Sequence, residues 1–121
     1  IDAVRTFQPR RVVAVFQPHR YSRTAALSRQ LGAALARADA VAVLDVYPAR
    51  ERAQDYPGVS GMLVAAAAAE HGSGRQVAWL PGFDEAHSFL AATLQAGDLC
   101  LVMGAGNVDA LGRSLVDGVR N

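Results

Sequence analysis

Apolar residues fall along this chain in short continuous runs separated by longer segments of helical period. Arg11–Phe16 is a valine-rich run, Ala40–Val46 a second, Gln76–Leu80 a shorter third and Leu99–Met103 a fourth. Their apolar residues are continuous rather than alternating, the pattern of strands buried on both faces. Between them lie four helix candidates. The first runs from Ser22 or Thr24, either of which can cap it, to about Arg37, with Leu27, Leu31, Ala34 and Leu35 on one face. Val59–Glu70 contains the run Ala65–Ala69, a strong helix former. Phe83–Gln95 follows the Pro81-Gly82 turn and spaces Phe83, Ala86, Leu90 and Leu94 toward a core, and Val108–Val119 is the last. Residues 1–8 read as the end of a further helix.

Strands and helices in this alternation predict an α/β fold: a Rossmann-like three-layer α/β/α domain with a mainly parallel sheet. Right-handed crossovers give the strand order third, second, first, fourth, and they bring the C-terminal strand ends to one edge. Three loops are therefore expected to converge on one crevice: Phe16–Arg23, Asp45–Glu51 and Gly104–Asn107. Open α/β sheets take their ligands at such an edge.

The first loop carries the chemistry. Phe16-Gln17-Pro18-His19-Arg20-Tyr21-Ser22-Arg23-Thr24 places His19, Arg20 and Arg23 at a helix start, where cations oppose the helix dipole. Planar guanidinium forks in that place suit a bound carboxylate or phosphate. A solvated basic helix start is the plainer alternative. In the second loop, Asp45 can order the backbone or meet a ligand, and Tyr47 can face the crevice or pack in the core. In the third, Gly104-Ala105-Gly106-Asn107 lets backbone N–H groups approach an anion, with a tight turn capped by Asn107 as the alternative. A dinucleotide fingerprint is excluded, because these glycines follow the last strand and Asp109 stands where the third glycine would be.

Charge sharpens this. The net charge is only +1, yet residues 1–52 hold nine Arg against Asp2, Asp39, Asp45 and Glu51, and the remainder is acidic. A local anion site fits that asymmetry better than a polyanion surface, and no aromatic-interleaved basic stripe points to nucleic acid. All twelve basic residues are Arg, so the chain has no P-loop lysine, Schiff-base lysine or lysine general base. Cys100, the single cysteine, reads as a buried strand thiol, and His71 and His87 as surface residues without metal-ligand spacing. At 121 residues the chain is one domain, with no apolar run long enough to span a membrane, and it is expected to be cytoplasmic. The segment Glu51–Pro57 reads as a flexible flap.

The words FQPHRYSRT, LDVYPARE and LVMGAGN, in this order and spacing, give the chain a resemblance to the C-terminal domain of the Mur ligases. Among these it is most similar to the UDP-N-acetylmuramate–L-alanine ligases, which add the first amino acid of the peptidoglycan stem peptide. The resemblance covers nearly the whole chain. It implies ATP-dependent ligation through an acyl phosphate on the muramoyl carboxylate, attacked by the amine of L-alanine. It implies that a central domain carries the P-loop, ATP and Mg, that an N-terminal domain binds UDP-N-acetylmuramate, and that this domain closes over both. On that footing residues 1–121 are the C-terminal domain, truncated at its N-terminal edge. They hold no catalytic residue and are expected to be inactive alone. His19, Arg20 and Arg23 would bind the amino acid or acyl phosphate, and Asp45, Tyr47, Gly104, Gly106 and Asn107 would line the crevice. The family commonly has Gly where Arg50 stands, so the second loop is expected to take a different path if Arg50 cannot adopt the glycine conformation. The reading from another class is a non-catalytic α/β module that binds an anionic metabolite.

Overall fold

The structure is a computed structural model that describes residues 1–72, 74–104 and 108–120. Four strands form one parallel sheet: β1 (Arg11–Gln17), β2 (Ala40–Val43), β3 (Gln76–Trp79) and β4 (Asp98–Gly104), in the order β3-β2-β1-β4. The expected order and direction are those observed. The register sets Val13 beside Ala40 and Cys100, and Phe16 beside Val43 and Met103. Four helices cross between and after the strands: α1 (Tyr21–Leu35), α2 (Met62–His71), α3 (Phe83–Thr93) and α4 (Val108–Arg120).

Strand side chains alternate across the sheet, and each face buries its own set. Val12, Ala14, Val41 and Val43 pack with Leu35 of α1 and Val64, Ala65 and Ala68 of α2. Val13, Val15, Ala40, Ala42 and Leu44 pack with Ala86 and Leu90 of α3 and Val108 and Leu111 of α4. These two cores make the three layers. Continuous apolar strands are required because β1 and β2 meet helices on both sides.

Several boundaries differ from expectation for physical reasons. The second strand ends at Val43 rather than Val46. Leu44 and Val46 stay buried, but the Asp45 N–H turns to the Pro81 carbonyl, so the apolar run reports burial rather than pairing. Helix α2 starts at Met62, and a short 3-10 turn, Ala53–Asp55, precedes it. Ala34 is exposed, and the buried positions of α1 are Thr24, Gly32 and Leu35. Residues 2–7 form a 3-10 helix, not an α-helix. Cys100 is half-buried in β4, and burial pushes its thiol up to about 11.

At the N-terminal edge of the sheet the charges are paired. Asp98, with its side chain 1% exposed, accepts hydrogen bonds from Arg10, Arg11 and the Gln95 N–H, and Arg5 meets Asp39. Arg11 first, then the other donors, hold the Asp98 carboxyl down at about 2 against an ordinary 3.8. Because the folded value is depressed, this stabilisation is present above about pH 4 and lost as pH falls toward 2. Unfolding free energies from urea titrations between pH 5 and 2 should fall by about 2 kcal/mol more in the wild type than in Asp98→Asn.

Candidate functional site

The C-terminal strand ends carry the loops, and hydrogen bonds tie them together. Tyr47 N–H donates to the Pro18 carbonyl at 2.8 Å and Arg20 N–H to the Tyr47 carbonyl at 2.9 Å, so His19 and Tyr47 pair as a parallel bridge. Their rings stack with centroids 6.1 Å apart and planes 22° apart. Tyr47 is 40% exposed, so it is not packed in the core.

Arg20 has φ 69° and ψ 143°, a positive φ that a side-chain-bearing residue adopts only under constraint. The constraint is visible: the Tyr47 carbonyl holds its N–H, and the Thr24 hydroxyl and N–H both reach its carbonyl, the hydroxyl at 2.7 Å. Neither Ser22 nor Thr24 makes a side-chain cap at the start of α1, contrary to expectation. Thr24 is turned back on Arg20, and the Ser22 N–H is taken by Glu51 from the second loop.

A cavity of about 270 Å³ opens at this edge, lined by Phe16, Gln17, His19, Arg23, Thr24, Leu31 and Gly104. The structure therefore brings His19, Arg23 and Gly104 together. Arg20 is exposed beside them, outside the cavity lining. Among the described residues, the side chains of Arg20, Arg23, Arg50 and Arg52 make no ion pair or hydrogen bond, whereas Arg5, Arg10, Arg11, Arg37 and Arg75 are all engaged. Of the nine arginines of the first half, Arg5, Arg10, Arg11 and Arg37 are thus engaged, while Arg20, Arg23, Arg50 and Arg52 around the first two loops, and Arg29 farther along α1, are unpaired among the described residues. Unpaired guanidiniums beside a cavity are what an anion needs. Gly106 and Asn107 lie outside the described residues.

Asp45 has an ordering role. Its Oδ1 accepts from the N–H groups of Val46 at 2.8 Å and Gly61 at 3.2 Å, tying the second loop to the approach to α2. The left-handed residue of this loop is Ala49, at φ 58°; Arg50 is not in the positive-φ region, so the departure from glycine there costs no backbone strain. The segment expected as a flap is held by Glu51 and by Tyr56, whose ring stacks on Tyr21 at 6.0 Å. Gly104 has a structural requirement of its own: φ is 126°, and a Cβ there would stand 2.3 Å from the Gln17 carbonyl oxygen. His71 is exposed and its Nδ1 lies 2.8 Å from the Ala67 carbonyl, while His87 stacks on Phe83.

Gln17 went unnoticed in the sequence as a separate feature. Its buried amide donates to the Asp45 carbonyl and accepts from the Val108 N–H, both at 3.3 Å, joining all three loops. The only signal was its place inside the first motif. Gln17→Leu leaves both partners unpaired and should cost about 1–3 kcal/mol in urea unfolding.

A four-stranded parallel sheet covered by helices on both faces, with its loops gathered at the C-terminal strand ends, defines a Rossmann-like α/β domain. The chain belongs to the Mur ligase family: the family described as Mur ligase, glutamate ligase domain, matches residues 1–106. It is 47% identical over 109 residues to a UDP-N-acetylmuramate–L-alanine ligase of Chlorobium phaeobacteroides, a match covering 90% of this chain and 23% of the relative. A ligase of the same name from Nocardia farcinica is 45% identical over 98% of this chain and 22% of its own length. One from Syntrophomonas wolfei is 44% identical over 97% and 24%. The chain thus spans less than a quarter of the length of these relatives.

Proposed function

We propose that the chain is the C-terminal, active-site-completing domain of an ATP-dependent ligase that joins L-alanine to UDP-N-acetylmuramate in peptidoglycan precursor synthesis. The observation that carries this reading is the cavity shared by His19, Arg23 and Gly104, beside unpaired guanidiniums, in a chain whose relatives bear that ligase name.

Within this reading, Arg23 binds an anionic group in the cavity, either the carboxylate of L-alanine or a phosphoryl oxygen of the acyl phosphate, and Arg20 meets the same anion from outside the lining. His19, stacked on Tyr47, adds a ring nitrogen to the wall. Gly104 and Gln17 hold the first and third loops in register around the anion, and Gly106 and Asn107 complete the third loop. Asp45 and Tyr47 fix the second loop. These groups bind and orient; no proton transfer is assigned to them, and the bond-making groups belong to the rest of the ligase.

On this reading the chain does not itself supply the ATP and Mg machinery, and without a lysine it has no P-loop lysine. Those groups fall to the central domain, and UDP-N-acetylmuramate to the N-terminal domain, with which this chain would form its own interfaces. Among the described residues no helix is long and apolar enough to cross a membrane. A cytoplasmic enzyme without nucleic-acid or membrane partners follows from the reading. The test is ADP release by the full-length protein. Release requiring both UDP-N-acetylmuramate and L-alanine supports the reading. Tight binding of an anionic metabolite with no ADP release favours a sensing module instead.

A further inference from the structure

The tie between the second loop and the start of α1 does more than close a surface. Glu51 takes the Ser22 N–H on Oε1 at 3.0 Å, and on Oε2 it takes the Ser22 hydroxyl and, at 3.3 Å, the Tyr56 hydroxyl. Its carboxyl is held below the ordinary carboxylate range, first by the Ser22 hydroxyl. Ser22 lies between Arg20 and Arg23. The turn that carries both arginines is therefore gripped at two points from the same loop: at Arg20 N–H by the Tyr47 carbonyl, and at Ser22 by Glu51. Stacking of Tyr21 on Tyr56, with ring planes 15° apart, adds a third contact on the same turn.

This grip answers a question left by the backbone. Arg20 holds a positive φ without being glycine, a conformation that costs on the order of 1–3 kcal/mol and persists only where its surroundings over-determine it. The helix start supplies no side-chain cap of its own. The second loop supplies the missing anion instead, a carboxylate at the positive end of α1.

We propose that Glu51 is a positioning residue: by holding Ser22 from the second loop it fixes the turn from which Arg23 presents its guanidinium at the cavity and Arg20 presents its own beside it. The inference rests on the reading of those arginines as anion-binding groups. Glu51 itself does not line the cavity. Its removal misdirects the arginines and weakens engagement of their anion, and it leaves the chemical step intact once substrate is bound.

Two measurements on Glu51→Ala and Glu51→Gln test this. The first is amide hydrogen exchange of the chain itself. Loss of the carboxylate should speed exchange at Ser22 by about tenfold or more, with the core strands unchanged, because a local tie is opened and not the fold. The second is steady-state kinetics of the full-length ligase with L-alanine varied, beside Arg23→Ala. Glu51→Ala should raise KM about tenfold with kcat within a few-fold of wild type. Glu51→Gln should recover most of that loss, since its amide oxygen still accepts the Ser22 N–H and its NH2 still reaches the Ser22 hydroxyl.

Unchanged exchange at Ser22 overturns the tie. Faster exchange with a wild-type KM, while Arg23→Ala is impaired, overturns the positioning role and leaves the site reading standing. Wild-type kinetics in Arg23→Ala overturns the site reading, and this inference falls with it.

Discussion

Replacing Arg23 by alanine in the full-length ligase should lower kcat/KM for L-alanine by about ten- to a hundredfold and leave the domain folded. The magnitude follows from a charge-assisted hydrogen bond to a bound anion, of order 1.5–3 kcal/mol. Folding is spared because Arg23 is exposed and its side chain makes no ion pair or hydrogen bond among the described residues. Arg20→Ala should act in the same direction but less strongly, since Arg20 stands outside the cavity lining and its backbone, not its side chain, carries the hydrogen bonds to Tyr47 and Thr24. Were both residues merely decorating a solvated helix start, stability would move by less than ~0.5 kcal/mol and the kinetics not at all.

The largest expected effect on stability is at Gly32, remote from the cavity. In an isolated helix, Gly→Ala gains about 1 kcal/mol from propensity. Here a Cβ would stand 2.4 Å from the Ala67 Cβ and 2.6 Å from the Ala68 nitrogen of α2. The obstructing atoms include backbone, so the helices must move apart, and overpacking costs about 1–3 kcal/mol before the loss of contacts along the separated helices is counted. The clash wins. Gly32→Ala should lower Tm by roughly 5–10 °C in a thermal scan followed by circular dichroism. An unchanged or raised Tm would mean that α1 and α2 do not approach this closely. The alanine run of α2 thus has a second meaning beside helix propensity: small side chains admit the backbone of α1 at Gly32.

What the sequence made legible follows from which interactions are local. Continuous apolar runs at β1 and β2 announced strands covered on both faces, and from them the parallel order and the converging loops could be drawn. The same pattern misled at Leu44–Val46, because burial continues where strand pairing stops. It also failed for the cap of α1. Ser22 has the right chemistry and place, but a carboxylate 29 residues away takes its N–H and hydroxyl, and no local rule sees that partner. Backbone conformation was equally hidden. Glycine is the usual sign of a positive φ, yet Gln8, Arg20 and Ala49 adopt it, and Arg20 is held there by the Tyr47 carbonyl of another loop. The basic cluster was legible as chemistry. Its division into engaged and unpaired arginines was not, since that depends on which sheet edge receives each acid.

The central claim, that these loops complete a ligase active site, is tested most directly by a graft. Residues 1–121 would replace the corresponding segment of the Chlorobium phaeobacteroides ligase, to which the chain is 47% identical over 109 residues. The measurement is formation of UDP-N-acetylmuramoyl-L-alanine from ATP, L-alanine and UDP-N-acetylmuramate, followed by mass spectrometry. The account predicts product from the graft and a loss of about ten- to a hundredfold when the graft carries Arg23→Ala. A folded graft that binds ATP and UDP-N-acetylmuramate but makes no product, or one indifferent to Arg23, would contradict it.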